Sequence, residues 1–357
     1  MASKELSSFD RIGMAARGEE PDRVPMGWLG HFEQGIALPN VKVFEVVTDK
    51  SGRRLFQGIK AVFDRYNPDA ITVFTYTIVE AVAMGTKPKY YPDIPPGPFE
   101  YVVKEPRDLD LLKIPDPRFD GDLPCIYNAI RQVVKEYGGR VPIASNTTGP
   151  CAVAARIRGL WEFCYDIMKR PWFAHDLMEH ATQACINIIS HYIPLGLTGI
   201  GWGAGSETTI SADQFRKFVL PYDRRYVRAA RKMGVYSFTR HVCSGPSAPY
   251  VVDAYTDIAR DGAYTIWGLF ESPEVMAKKK EQFPKPIVTG GGPNTSLVQL
   301  GKPAEVVNEV KRWIKTVAPG GRYLFIGDCG IPPAATLENV DAYVKTAKEA
   351  GKYPIKI

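Results

Sequence analysis

His241 and Cys243 close an apolar run that begins at Val235, and Cys329 closes another that begins at Tyr323. One imidazole and two thiols at strand ends make a soft nitrogen and sulfur donor set of the kind zinc favours. Three protein donors leave one tetrahedral position open, which marks a catalytic rather than a structural zinc. A plainer reading stands beside it. The two cysteines lie far apart in the chain and form no local motif, so the three residues also fit side chains that merely fall near strand ends.

Composition narrows the field. The chain has 357 residues, 45% hydrophobic and 24% charged, with a net charge of +6. Those values suit an ordinary globular protein able to bury a full core. Basic residues are scattered among acids, as in Lys104-Glu105 and Lys279-Lys280-Glu281. No nucleic-acid stripe is visible. The start, Met-Ala-Ser-Lys-Glu-Leu-Ser-Ser, lacks the apolar core of a signal peptide, and no apolar run is long enough for a membrane span. Six cysteines in so long a chain read as reduced thiols of a cytoplasmic protein.

The elements that must position these residues follow a rhythm. Eight strand-like runs lie at 23–28, 70–74, 141–145, 197–202, 235–241, 263–267, 286–289 and 323–326. Helical spacing fills Leu123 to Tyr137, Trp172 to Ile193, Ala212 to Met233, Pro303 to Val317 and Thr336 to Ala350. Start signals at Ser211-Ala-Asp-Gln, Ser272-Pro and Lys302-Pro sharpen the helix boundaries. This alternation predicts an α/β fold, a single (β/α)8 TIM barrel over residues 1–357, with an N-terminal extension. The Pro-rich stretch 87–98 (Pro88, Pro92, Pro95, Pro96, Pro98) is expected to be an ordered excursion after the second run. An open doubly wound sheet would call for a GxGxxG turn, which is absent. Gly290-Gly291-Gly292 reads either as a tight turn or as close backbone approach to a ligand.

A barrel gathers the loops after its strands at one mouth. His241 and Cys243, two residues apart on a strand, point to one side, and Cys329 ends the last strand. Arg240 should turn the other way. The barrel therefore brings the three donors within reach of one another across the mouth.

Three segments carry a resemblance: Ile210-Ser-Ala-Asp-Gln-Phe-Arg-Lys-Phe-Val-Leu-Pro-Tyr222, His241-Val-Cys-Ser-Gly245 and Cys329-Gly-Ile-Pro-Pro-Ala-Ala-Thr-Leu-Glu-Asn339, with Asn146-Thr-Thr-Gly-Pro150 beside them. Together they resemble the uroporphyrinogen decarboxylase superfamily over nearly the whole chain. The His-x-Cys and distant Cys resemble its zinc-dependent, corrinoid-linked methyltransferase branch, which includes methylcobamide:coenzyme M methyltransferases and demethylase components. The resemblance implies a (β/α)8 barrel, with His241, Cys243 and Cys329 as the zinc ligands. The decarboxylase branch needs arginines after the first strand and an aspartate after the second. Here those places hold Trp28-Leu-Gly-His-Phe-Glu-Gln34 and Tyr76, while Val79-Glu80-Ala81 matches the methyltransferase pattern.

Zinc suits alkyl transfer, because it keeps a thiol or phenol ionised near neutral pH. Glu207, past the fourth run, fits a fourth ligand, a proton acceptor or a helix-cap carboxylate. Glu80 and Tyr76 are the other catalytic candidates. Trp28, Tyr76, Trp202 and Trp267 at strand ends could line an apolar box for a methoxylated aromatic donor. His31 and Asn146 could face substrate or corrinoid, though His31 reads equally as a plain loop histidine. His175, His180 and His191 show no metal pattern, and Cys125, Cys151, Cys164 and Cys185 read as small buried residues. No corrinoid-binding Asp-x-His-x-x-Gly motif is present, so the corrinoid is expected on a separate protein, with this chain a monomer or homodimer. Methyl donors from methoxylated aromatics to methylated thiols or amines stay open. So do coenzyme M and tetrahydrofolate as acceptors.

Overall fold

The computed structural model describes residues 5–27, 29–30, 40–203, 209–242, 258, 263–268, 272–283 and 287–356. Nine strands are described: β1 Ile71–Val73, β2 Lys87–Lys89, β3 Gly97–Glu100, β4 Ile143–Asn146, β5 Gly199–Trp202, β6 Ser237–Val242, β7 Ala263–Gly268, β8 Ile287–Gly291 and β9 Tyr323–Phe325. Seven of them form one sheet in the order β1-β4-β5-β6-β7-β8-β9, every pair parallel. β2 and β3 make a separate antiparallel hairpin, the ordered form of the Pro-rich excursion.

The sheet is curled. Phe74 just past β1, Trp267 of β7 and Ile326 just past β9 pack as one buried cluster, although β1 and β7 are four strands apart in the sheet order. The fold is therefore α/β and TIM-barrel-like, with seven parallel strands where the sequence predicts eight. Residues 23–27 of the first run stand between β1 and β9 and form no ladder among the described residues. Met26 makes a lone parallel bridge to Phe325, and its carbonyl accepts from Asp69 N–H at 2.8 Å. Pro25 explains the failure: it has no N–H to give, and only its carbonyl is used, by Phe325 N–H at 2.9 Å.

Helices cover the outer face of the sheet. In Arg53–Tyr66 the buried residues Leu55, Ile59, Val62, Phe63 and Tyr66 recur at helical spacing and make one apolar stripe. Leu123–Tyr137 and Pro303–Val317 lie where the spacing predicts. The run from Ala212 divides into Ala212–Phe218 and Leu220–Lys232, because Pro221 starts a new first turn. Ser211 and Ser272 cap their helices through Gln214 N–H and Val275 N–H. No helix among the described residues is long and apolar enough to cross a membrane.

Candidate functional site

Register fixes which side chains enter the barrel. Going from β4 to β7, Asn146 pairs with Gly201, Gly201 with Thr239, and Thr239 with Thr265. Two residues nearer the strand ends, His241 pairs with Trp267, and Trp267 with Gly290. The alternate set faces the helices. Trp202 meets the ring of Tyr226 edge-on at 5.7 Å, Arg231 lies over Phe238, and Phe325 packs on Tyr343. Strand alternation therefore turns His241, Thr239, Asn146 and Trp267 inward.

Inside, the barrel is not packed shut. In β6 the outward Phe238, Arg240 and Val242 are buried, whereas the inward Ser237, Thr239 and His241 are only half-buried. Thr72, Asn146, Thr265 and Leu324 are half-buried on the same inward face. Barrels of this kind usually fill the interior with branched apolar side chains. Here the inward face carries a row of half-buried hydroxyls and a carboxamide beside the buried cluster of Phe74, Trp267 and Ile326.

The two described zinc candidates converge from opposite parts of the sheet. The His241 ring stacks on Trp267, with centroids 3.9 Å apart and planes 20° apart, and its Nε2 lies 3.4 Å from the Asp328 carbonyl oxygen. Asp328 immediately precedes Cys329, whose thiol-bearing residue is exposed. Asp328 itself is buried, its carboxylate accepting from Thr295 N–H at 2.9 Å, and burial pushes its carboxyl above the usual range. Gly290 makes room for the stack, since a Cβ there would lie 2.5 Å from the Trp267 Cβ. That glycine serves side-chain packing within β8, not a turn. Among the described residues no three His, Cys, Asp or Glu side chains gather as a metal site. Cys243 lies outside the described residues, as do Trp28, His31 and Glu207.

Other candidates are placed elsewhere. Trp202 is one residue out of step with the inward face and packs under the Arg240 guanidinium, not with Trp267. Arg240 turns away from the lumen, as alternation requires, and donates to the carbonyls of Trp202 at 3.2 Å and His241 at 2.8 Å. Tyr76 is fully buried and donates its hydroxyl to Asp122 at 2.5 Å; burial and that carboxylate hold the phenol protonated. The structure thus separates Tyr76 and Trp202 from the aromatic lining at Trp267. Glu80 is buried on the short helix Val79–Ala83 and accepts from Thr148 N–H at 2.8 Å and Thr148 Oγ at 2.9 Å. It holds the segment that follows Asn146. Burial raises its carboxyl. His175 stacks on Phe218, a packing role. Sequence inspection passed over Thr239, Thr265, Phe74 and Ile326; counting in twos back from His241 would have reached Thr239.

Residues 7–350 match the family described as Uroporphyrinogen decarboxylase (URO-D). The chain belongs to that family. Among its relatives, the uroporphyrinogen decarboxylase of Anaeromyxobacter dehalogenans (strain 2CP-C) is 24% identical over 355 residues, covering 96% of this chain and 99% of the relative. The methylated-thiol--coenzyme M methyltransferase of Methanosarcina mazei is 26% identical over 279 residues, covering 76% of this URO-D family chain and 70% of the relative. Among solved structures, a methyltransferase from Methanosarcina mazei superposes with a TM-score of 0.79 at 21% identity, over 97% of this chain and 99% of that one. A B12-independent methionine synthase from Shewanella sp. W3-18-1 follows the same fold more loosely, with a TM-score of 0.57 at 12% identity, over 92% of this chain and 97% of that one.

Proposed function

We propose that this chain is a zinc-dependent methyltransferase that moves a methyl group between a small molecule and the cobalt of a corrinoid carried by a separate protein. One observation carries the reading: His241 reaches the backbone beside the exposed Cys329 at the end where the strands finish. An imidazole beside a thiol is a donor set that suits zinc, and Cys243 supplies the second thiol two residues from His241. Zinc held by His241, Cys243 and Cys329 would supply the positive charge that lets an ether oxygen or a thiol carry its negative charge near neutral pH.

The chain's own residues do the rest. Trp267 fixes the plane of the His241 ring by stacking. Phe74, Trp267 and Ile326 give the lumen an apolar wall. Glu80, through Thr148, holds the loop after Asn146 in place. An apolar wall with few polar groups fits a methoxylated aromatic donor. Methylated thiols are the second reading, supported by the named activity of the Methanosarcina mazei relative. Decarboxylation, the activity in the name of the Anaeromyxobacter relative, suits these residues less: Tyr76 stands where the carboxylate is needed and is sealed against Asp122.

The test is methylation of reduced cobalamin by methoxybenzenes, compared with methyl thioethers and methylamines, in the parent protein and in Cys329→Ala. Methoxybenzene turnover is expected. The variant should keep its fold and lose both metal and activity, since loss of one of three protein ligands removes a large part of a binding energy on the order of 10 kcal/mol. Turnover with methylated thiols alone would favour the second reading. A Cys329→Ala protein that retains full zinc would remove the metal site.

A further inference from the structure

One row of the barrel interior is polar without being used. Asn146, Gly201, Thr239 and Thr265 stand side by side on β4, β5, β6 and β7, one step deeper than His241. Gly201 leaves a gap in that row, and the Asn146 carboxamide leans across it. A Cβ on Gly201 would lie 2.1 Å from Asn146 Oδ1. Within the described residues, the Asn146 carboxamide and the Thr239 and Thr265 hydroxyls make no hydrogen bond. All three residues are half-buried.

Polar side chains on the outward face behave differently. Ser145 Oγ donates to the Val73 carbonyl at 2.8 Å, and Thr289 Oγ donates to the Arg322 carbonyl at 3.0 Å. On β4 and β8, where the sheet faces the helices, these two hydroxyls are satisfied; the lumen-facing polar side chains of β4, β6 and β7 make no hydrogen bond among the described residues. Inward polar groups need a partner from the solvent or from a ligand.

The chemistry of the row defines what it would accept. A carboxamide and two hydroxyls both donate and accept, and none carries charge. The neighbouring cation, Arg240, faces outward and is committed to two carbonyl oxygens. Such a row matches a neutral hydroxyl and offers nothing to balance a carboxylate or sulfonate. Its depth is equally informative. Thr239 is two residues below His241, about 7 Å along the strand, longer than the separation of para oxygens on a benzene ring, which leaves length for a hydrogen bond at the far end. Phe74 and Trp267 supply apolar wall beside it.

We infer that Asn146, Thr239 and Thr265 form a subsite for a neutral hydroxyl on the far side of an aromatic methyl donor, para to the ether oxygen held near His241. The orientation of the donor rests on the methyl-transfer reading; the polarity of the subsite does not.

Binding of three ligands by calorimetry, without any corrinoid, tests it: anisole, 4-methoxyphenol and 4-methoxybenzoate. The expected order is 4-methoxyphenol first, about tenfold tighter than anisole, as one or two gained hydrogen bonds allow, with 4-methoxybenzoate weakest. Asn146→Ala and Thr239→Val should each shrink the tenfold preference while leaving anisole binding unchanged, and Thr239→Ser should restore it. Thermal melting identifies a variant that has lost its fold, and the other variant then decides. Tightest binding of 4-methoxybenzoate, an unchanged preference in the folded variants, or no saturable binding of any ligand would overturn the subsite. Selective binding of 4-methoxyphenol without methyl transfer would leave the subsite standing and remove the transfer reading.

Discussion

The two ends of this barrel handle buried polar groups in opposite ways. At the end where strands begin, buried charge is held by opposite charge or by a cage of carbonyl oxygens. Asp69, just before β1, is buried and accepts from Arg11 Nη1 at 2.6 Å, from Arg23 Nη1 at 2.6 Å and Nη2 at 3.0 Å, and from Met26 N–H at 2.8 Å. Asp22 accepts from Arg11 Nε and Nη2, and the Leu6 carbonyl accepts from Nη2 as well. Lys280 caps the carbonyls of Val317, Pro319 and Gly321, and its desolvation lowers the ammonium to about 8. At the end where strands finish, the buried carboxyls Glu80 and Asp328 make no ion pair among the described residues, and burial raises both. The polar side chains of the lumen row beside them make no hydrogen bond among the described residues. One end is built to hold the fold and the other to leave groups available, the division of labour expected of such barrels.

The sharpest way to break that comparison is at Asp69. Asp69→Ala leaves two buried guanidinium groups without their shared carboxylate. Removal of one partner from a buried pair costs roughly 3 to 5 kcal/mol, a large part of a typical stability of about 5 to 15 kcal/mol. Urea unfolding should show that loss. A change below about 1 kcal/mol would mean that the network adds little and that both ends are alike.

This network was invisible in the sequence, because Arg11, Asp22, Arg23 and Asp69 carry no shared spacing and meet only when the N-terminal helix Ser8–Arg17 folds under the sheet. The helices Leu123–Tyr137 and Pro303–Val317 were legible because each combines a helical apolar period with a first-turn proline. Seven strands were legible as short apolar runs. The site was half legible. A histidine and a cysteine at strand ends announce themselves by type. Trp202 looked like part of the same mouth, and only register shows that it is the outward neighbour of the inward Gly201. Thr239 and Thr265 are ordinary strand formers by propensity. What distinguishes them is an unused hydroxyl, a property of packing.

A smaller effect is expected at Glu80, where the comparison becomes a matter of pH. Its folded carboxyl is raised by burial above the ordinary value of about 4.3. Between that value and the raised one, the folded chain keeps a proton that the unfolded chain has released. Stability contributed by this group is therefore present at low pH and falls as pH rises through the window. Glu80→Gln cannot titrate. Relative to the parent it should gain stability as pH rises, by up to about 1.4 kcal/mol per unit, after an initial loss from a weakened clamp on Thr148. Parallel stability curves from pH 4 to 8 would show that Glu80 titrates normally and that the mouth tolerates charge as the other end does.

The smallest effect is expected at Tyr76, which separates a mouth residue by sequence from a mouth residue by geometry. Its hydroxyl donates to Asp122, and Tyr90 donates to the same carboxylate at 2.6 Å. Tyr76→Phe removes one of these two donors and leaves the ring in its buried seat. Asp122 keeps Tyr90, so no acceptor is orphaned, and the loss should be about 1 kcal/mol, the net worth of one hydrogen bond. Because the phenol is fully buried and held protonated against Asp122, it is not expected to take part in chemistry beside Trp267. Methyl transfer per folded molecule should stay within about twofold, well inside the effect of an acid–base catalyst. Steady-state kinetics decide between the two readings. A fall in kcat of a hundredfold with KM unchanged would return Tyr76 to the chemistry and show that the buried hydroxyl is reached when substrate binds.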